Sequence, residues 1–230
     1  AICEETGADV REVANAIGTD NRIGNKFLNA GPGFGGSCFK KDILNLVYLC
    51  EYFDLNEVAE YWSKVIEIND WQQNRITNLI TKKLFGTLFN KKIIILGFAF
   101  KSKTNDTRES PAIKVCKNLL EEGARLFIHD PKVNAAQIEK ELEQKEIIKK
   151  DNDFTECGRW TKIYDLNFSF NKADAVIILT EWDDYKELDW LNCSKLMRHP
   201  SWVFDTRSIT NPNKIMESGV NFWRIGDGTI

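Results

Sequence analysis

Between Lys92 and His129 the chain carries a pattern that few folds accommodate. Lys92–Leu96 is a short β-branched run that ends at Gly97. A loop leads to Pro111, which opens a helical stretch to Glu122, with Gly123 just beyond it. Proline in the first turn and glycine past the last bracket a helix. Arg125–His129 is a second apolar run, closed by Asp130-Pro131. Strand, helix, strand at this spacing predicts βαβ units and a largely parallel sheet. Asn134–Glu143 reads as a helix, Ala175–Thr180 and Trp202–Phe204 as strands, and Val220–Ile225 as an edge strand. Gln144–Lys172 is polar and poorly periodic, and reads as an insertion whose one strand candidate is Thr161–Tyr164.

The residues before Asn90 follow a different period. Ala1–Thr6 reads as the end of a helix stopped by Gly7. Asp9, with Glu12 three residues on, resembles a capping box. Val10, Val13, Ala14 and Ile17 follow at helical spacing up to Gly18. Residues 19–37 are loop-like. A second helix starts near Cys38, with Ile43, Leu46, Val47, Leu49, Cys50 and Phe53 on a 3.6-residue period. From Asn56 to Leu84 there is neither Gly nor Pro. Val58, Trp62, Val65, Ile66, Ile76, Leu79, Ile80 and Leu84 recur in steps of three and four, with a polar interruption at Asn69–Asn74. This predicts one helix of about 40 Å, a spine between domains or a packing surface for a partner. The expected organisation is a helical region over 1–88 and an α/β domain over 89–230.

Composition narrows the class. At 43% hydrophobic and 28% charged, the chain is neither disordered nor fibrous. No apolar run approaches the roughly 18 residues of a membrane span. A net charge of -3 is no basic footprint, so nucleic acid is not an expected partner. The six cysteines are scattered without a CxxC pair, as expected of buried apolar residues in a reducing cytoplasm. His129 and His199 are too isolated for a metal site. The chain opens Ala-Ile-Cys-Glu-Glu, with neither an initiator Met nor a signal-peptide pattern, and reads as a piece of a longer protein.

Three segments could carry chemistry. Gly31-Pro32-Gly33-Phe34-Gly35-Gly36-Ser37 spells GxGxxG at Gly31, Gly33 and Gly36. A dinucleotide cradle needs a strand before it. Asn25–Asn29 is polar-interrupted and follows a helix, so a loop whose backbone passes close to a ligand fits better. Cys38 sits where that loop becomes a helix. The positive end of the helix favours a thiolate there, and Lys40 and Lys41 add charge. Asp42 lies on the same helix face. A thiolate beside a carboxylate suits attack on a carbonyl carbon, then water attack on the acyl intermediate. A structural cysteine beside a capping aspartate accounts for the same residues, and the residues alone leave both open. The second segment is Gly97–Ser110, at the carboxyl end of a parallel strand, where open α/β sheets bind ligands. Lys101 and Arg108 suit phosphates and Phe100 suits a sugar or base. A solvated polar loop is the plainer account. The third, Asp205-Thr206-Arg207, reads by itself as a surface turn.

Taken together, these segments resemble the nucleotide-sugar dehydrogenases. Gly33-Phe34-Gly35-Gly36-Ser37-Cys38-Phe39-Lys40-Lys41-Asp42 is similar to the family's catalytic-cysteine loop. Gly97-Phe98-Ala99-Phe100-Lys101 through Asp106-Thr107-Arg108-Glu109-Ser110 is similar to its second signature. Ile23–Leu28 and Leu179-Thr180-Glu181-Trp182 fit as well. The resemblance covers nearly the whole chain and is weakest across Gln144–Lys172. The run Ile43–Glu51 is similar to the animal-type branch that acts on UDP-glucose.

The resemblance implies a central helical region with a long helix, then a Rossmann-like parallel-sheet domain that binds UDP-sugar. An NAD-binding domain would precede both, together with the family's catalytic lysine and asparagine. The implied reaction oxidises UDP-glucose to UDP-glucuronate, with two hydrides passed to two NAD. Cys38 would be the nucleophile and Asp42 would position the hydrolytic water. Phe27, Phe34, Gly35, Phe100, Lys101 and Arg207 would contact UDP-sugar. Arg22 would reach a neighbouring subunit's sugar site in a homo-oligomer, and Arg108 would lie near NAD. By itself the chain is expected to fold but not to turn over. The alternatives are a dehydrogenase for GDP-mannose or UDP-N-acetyl sugars, and a non-catalytic module for UDP-sugar binding or assembly.

Overall fold

All five residues of β1 (Lys92–Leu96) are buried. Ile93 and Ile95 face one apolar cluster with Ile76, Ile80, Val115 and Leu119. Ile94 and Leu96 face another with Val176, Ile178, Trp190 and Ile215. A strand covered on both faces reads as a continuous apolar run, not an alternation. The computed structural model describes residues 1–148, 155–166 and 169–229. Around β1 it places β2 (Arg125–His129), β3 (Arg159–Lys162), β4 (Ala175–Ile178), β5 (Trp202–Asp205) and β6 (Asn221–Arg224) in one sheet. The strand order is β3-β2-β1-β4-β5-β6, and every pairing is parallel.

The helices are α1 (Ile2–Thr6), α2 (Val10–Gly18), α3 (Phe39–Tyr52), α4 (Asn56–Lys83), α5 (Pro111–Glu121), α6 (Ala135–Leu142), α7 (Trp190–Leu196) and α8 (Pro212–Glu217). The expected architecture, a helical region with a long helix followed by a parallel α/β unit, is the one observed. The 28 residues of α4 form a spine. Its carboxyl half carries Ile76 and Ile80, fully buried, into the core against β1 and α5. Its amino half leaves Val58, Tyr61 and Ile68 exposed. Among the described residues, no helix is long and apolar enough to cross a membrane.

The start of the chain is seated on the end of β6 by a backbone bond to Glu4 and by two crossing ion pairs, Arg11–Asp227 and Arg224–Asp9, each at 3.9 Å. Glu4 accepts from the Gly226 N–H at 2.8 Å and pairs with Arg75 of α4. Asp9 caps α2 and pairs with Arg11, while buried Arg224 pairs with Asp227. The expected capping box at Asp9 is therefore corrected: Arg11 takes that carboxylate through both its backbone N–H and its guanidinium. A capping box does occur at Asn134 and Gln137 of α6.

The expected insertion also differs. It contains an edge strand of the sheet, β3, which starts at Arg159 and not at Thr161 and pairs with β2. Polar Arg159, Thr161 and Lys162 hide it from a hydropathy reading. Trp160 anchors it, fully buried, with its indole N–H on the Gln144 carbonyl at 2.9 Å. Residues 149–154 and 167–168 of that segment lie outside the described residues. The strand expected over Ala175–Thr180 stops at Ile178, because the Thr180 hydroxyl turns to the Ala99 carbonyl at 2.6 Å. Helices α7 and α8 are too short to show a period. The apolar stripes of α2 and α3 are largely uncovered: α2 has no buried residue, and α3 buries Ile43 and Cys50 only.

Candidate functional site

The strand order turns back on itself between β1 and β4. Ligands of open α/β sheets sit beyond the carboxyl ends of the strands at such a point. Four strand-end loops meet here, after β1, β2, β4 and β5, and buried polar groups lock them together. Asp130, after β2, accepts from the N–H groups of Phe98 and Ala99 at 2.8 and 3.0 Å and from the Trp182 indole at 3.2 Å. Arg207, after β5, donates from Nε to the Leu179 carbonyl at 2.8 Å and from its guanidinium to the Phe100 carbonyl at 3.2 Å. Glu181 accepts from the Ser102 N–H at 3.1 Å and faces Arg207 Nε at 3.3 Å. Burial draws the Arg207 pKa down from its ordinary value, against the pull of Glu181 and Asp205. The surface-turn reading of Asp205-Thr206-Arg207 is corrected: Asp205 and Thr206 are fully buried, because their side chains bond Thr210 and the Ile178 carbonyl.

A cleft of about 870 Å³ opens between these loops and the helical region. Phe100, Lys101 and Arg207 form one wall, and Phe27, Phe34 and Gly35 belong to the other. The sequence separates these six residues widely, and the fold brings them to one space. Aromatic rings offer flat faces to a base or sugar. Lys26, Lys101 and Arg207 supply positive charge against the single carboxylate of Glu181. Lys101 Nζ lies 5.3 Å from the Phe100 ring centroid. Asn29, Asn69, Trp71 and Gln72 line the cleft as well and were not candidates from the sequence. For Asn69, Trp71 and Gln72 the one signal was the polar interruption in the long helix; loop residue Asn29 carried none.

The cysteine loop is pinned against the second signature. The Gly36 N–H donates to the Arg108 carbonyl at 2.9 Å, and Lys40 pairs with Glu109 at 2.8 Å. A Cβ on Gly35 would fall 2.4 Å from the Glu109 carbonyl oxygen, so no side chain fits there. Cys38 is the N-cap of α3, exposed, with its sulfur 3.8 Å from the Ser37 hydroxyl. Asp42 is one turn on, its N–H donating to the Cys38 carbonyl at 2.8 Å. Neither lines the cleft; their neighbour Phe39 does, edge-on to Phe34 at 4.7 Å. Arg108 is exposed and pairs with Asp106, and Arg22 is exposed and pairs with Asp20, both outside the cleft.

The GxGxxG spelling at Gly31–Gly36 has no strand before it and opens α3, not a βαβ helix. The loop after β1 offers one glycine, Gly97, before Ser110 caps α5. The described residues therefore do not fit the pyrophosphate cradle of NAD. No group of three or more potential metal ligands occurs among them either.

An all-parallel sheet in this order, with an aromatic and cationic cleft at its switch point, defines a protein of the nucleotide-binding α/β class. Comparison with known proteins gives the family. Residues 1–71 match the central domain, and residues 94–212 the UDP binding domain, of the UDP-glucose/GDP-mannose dehydrogenase family. The chain belongs to that family. It is 50% identical over 235 residues to UDP-glucose 6-dehydrogenase 4 of Arabidopsis thaliana, covering 98% of this chain and 48% of the relative. It is also 50% identical over 228 residues to UDP-glucose 6-dehydrogenase of Gallus gallus, with 98% and 46% covered. A solved UDP-glucose dehydrogenase from Pyrobaculum islandicum superposes with a TM-score of 0.75 at 30% identity, over 98% of this chain and 45% of that one. The chain thus spans about half the length of the curated relatives it matches.

Proposed function

We propose that the cleft holds the nucleotide of UDP-glucose and that Cys38 serves its oxidation to UDP-glucuronate. The supporting observation is the convergence of Phe27, Phe34, Phe100, Lys101 and Arg207 on one cleft beside the helix start that carries Cys38. Phe rings pack against the base or sugar. Lys101 and the remaining donors of Arg207 bind the pyrophosphate, a charge-assisted contact that a planar guanidinium suits well. The Cys38 sulfur attacks the carbonyl carbon of the oxidised sugar, and water, oriented by Asp42, releases the acid from the later thioester. Both hydrides would pass to NAD, the family's hydride acceptor, one as the sugar alcohol becomes the aldehyde and one as the thiohemiacetal on Cys38 becomes the thioester. Arg108 is assigned to the face toward NAD, and Arg22 to a neighbouring subunit of a homo-oligomer. Residues 1–88 form the region of assembly and cysteine chemistry, and 89–230 the UDP-sugar-binding domain. The free cysteines suit a cytoplasmic protein.

Calorimetry with UDP and GDP tests this reading. UDP binds, GDP binds more weakly, and Lys101→Ala lowers UDP affinity by about tenfold or more, the usual worth of a charged hydrogen bond. Equal binding of both nucleotides, or no effect of Lys101→Ala, sinks the assignment. The same chain with UDP-glucose and NAD forms no NADH, since its described residues hold no dinucleotide cradle. Steady NADH production overturns that part.

A further inference from the structure

Asn69 sits in the middle of α4 and is 8% exposed. Asparagine is a poor residue for a helix interior, since its side chain competes for backbone bonds. Here the side chain is spent on another segment. Asn69 Oδ1 accepts from the Phe34 N–H at 2.8 Å, and Nδ2 donates to the Phe34 carbonyl at 3.3 Å. One side-chain amide thus satisfies both backbone groups of one loop residue, as a neighbouring strand does. One turn along, Gln72 donates to the Gly31 carbonyl at 3.1 Å. Between the two contacts lies Gly33, at φ +133°, where a Cβ would stand 2.7 Å from Asn69 Oδ1. The missing side chain of Gly33 leaves the room that the Asn69 amide occupies. The polar interruption in an otherwise apolar helix is therefore where α4 crosses the cysteine loop.

We infer that Asn69 is a positioning residue for this loop. It fixes the height at which Phe34 enters the cleft and the path by which the chain reaches Cys38, four residues on. The inference rests on the cleft being the nucleotide site. Asn69 does not act on the substrate; it acts through Phe34, whose ring meets Phe39 at the cleft wall.

The test compares the full chain with Asn69→Leu and Asn69→Asp by hydrogen exchange and by UDP calorimetry. Leucine removes both bonds at similar size, and aspartate keeps the acceptor for the Phe34 N–H. In Asn69→Leu, exchange at the Phe34 amide accelerates by about tenfold or more while β1 and β4 keep their protection, as for a local opening. UDP affinity falls by about tenfold in the same variant. In Asn69→Asp, Phe34 stays protected. Four results overturn the inference: an unchanged Phe34 amide in Asn69→Leu, loss of protection in the sheet to the same degree, an aspartate variant as fast as leucine, or faster exchange with unchanged UDP affinity. Failure of the parent chain to bind UDP sinks the nucleotide reading instead, and the exchange comparison still judges Asn69.

Discussion

Lys40 and Glu109 form an ion pair at 2.8 Å across 69 residues of sequence. With the Gly36–Arg108 backbone bond, it holds the helix start of Cys38 against the loop of Arg108. The Arg108 pKa is raised above its ordinary value, first by its side-chain hydrogen bonds to Asp106, and the nearby Cys38 sulfur adds to the effect. The arrangement places a positive group near the sulfur proposed as nucleophile.

Cys38→Ser in a catalytically competent form of the protein abolishes UDP-glucuronate formation, by more than about 10³-fold, as for loss of other covalent nucleophiles. A serine hydroxyl at neutral pH is far weaker than a thiolate. Product analysis by mass spectrometry checks this, and near-normal turnover removes Cys38 from the mechanism.

Asp42→Asn keeps shape and loses charge. If Asp42 orients the water that cleaves the thioester, the variant accumulates acyl-enzyme, visible as added mass on the peptide of Cys38. An unchanged rate with no adduct disproves that role.

Acid loosens the junction between α2 and β6. The Asp9 carboxyl lies below its ordinary value of 3.8, chiefly through its hydrogen bond to Arg11. At Asp227 burial pushes upward, but bonds from Thr229 and Arg224 outweigh it and the pKa again lies low. Carboxyls depressed in the folded state contribute stability that is complete above the ordinary value and is lost as pH falls through the folded one. The melting-temperature gap between the parent chain and Asp9→Asn is therefore open at neutral pH and shrinks below pH 3.8. A gap constant into that acid range contradicts the linkage.

Leu44, Leu49, Tyr52, Val58, Tyr61 and Trp71 on α3 and α4 are exposed. Large apolar side chains left exposed in this number on two packed helices point to an interaction surface. We expect light scattering at micromolar concentration to show self-association, and Tyr61→Glu to reduce it. A clean monomer rules out this face as a self-interface under those conditions.

The parallel sheet was legible because β1, β2 and β4 are buried on both faces and so appear as unbroken apolar runs between Gly, Pro and Asp-Pro punctuation. The long α4 was legible because 28 residues kept one period without a breaker. Edge strand β3 was misplaced because an edge needs few apolar residues. The candidate residues were named in the sequence by the resemblance of short motifs, and no local signal told that Phe27, Phe34, Phe100, Lys101 and Arg207 share a cleft. That convergence comes from the strand order, which sends the loops of β1, β4 and β5 to one point, and from α4, which carries the cysteine loop to meet them. Asn69 shows the division most plainly. The sequence determined that a polar residue interrupts the helix, and only the tertiary structure, by setting Phe34 beside it, decided that its amide has a backbone to hold.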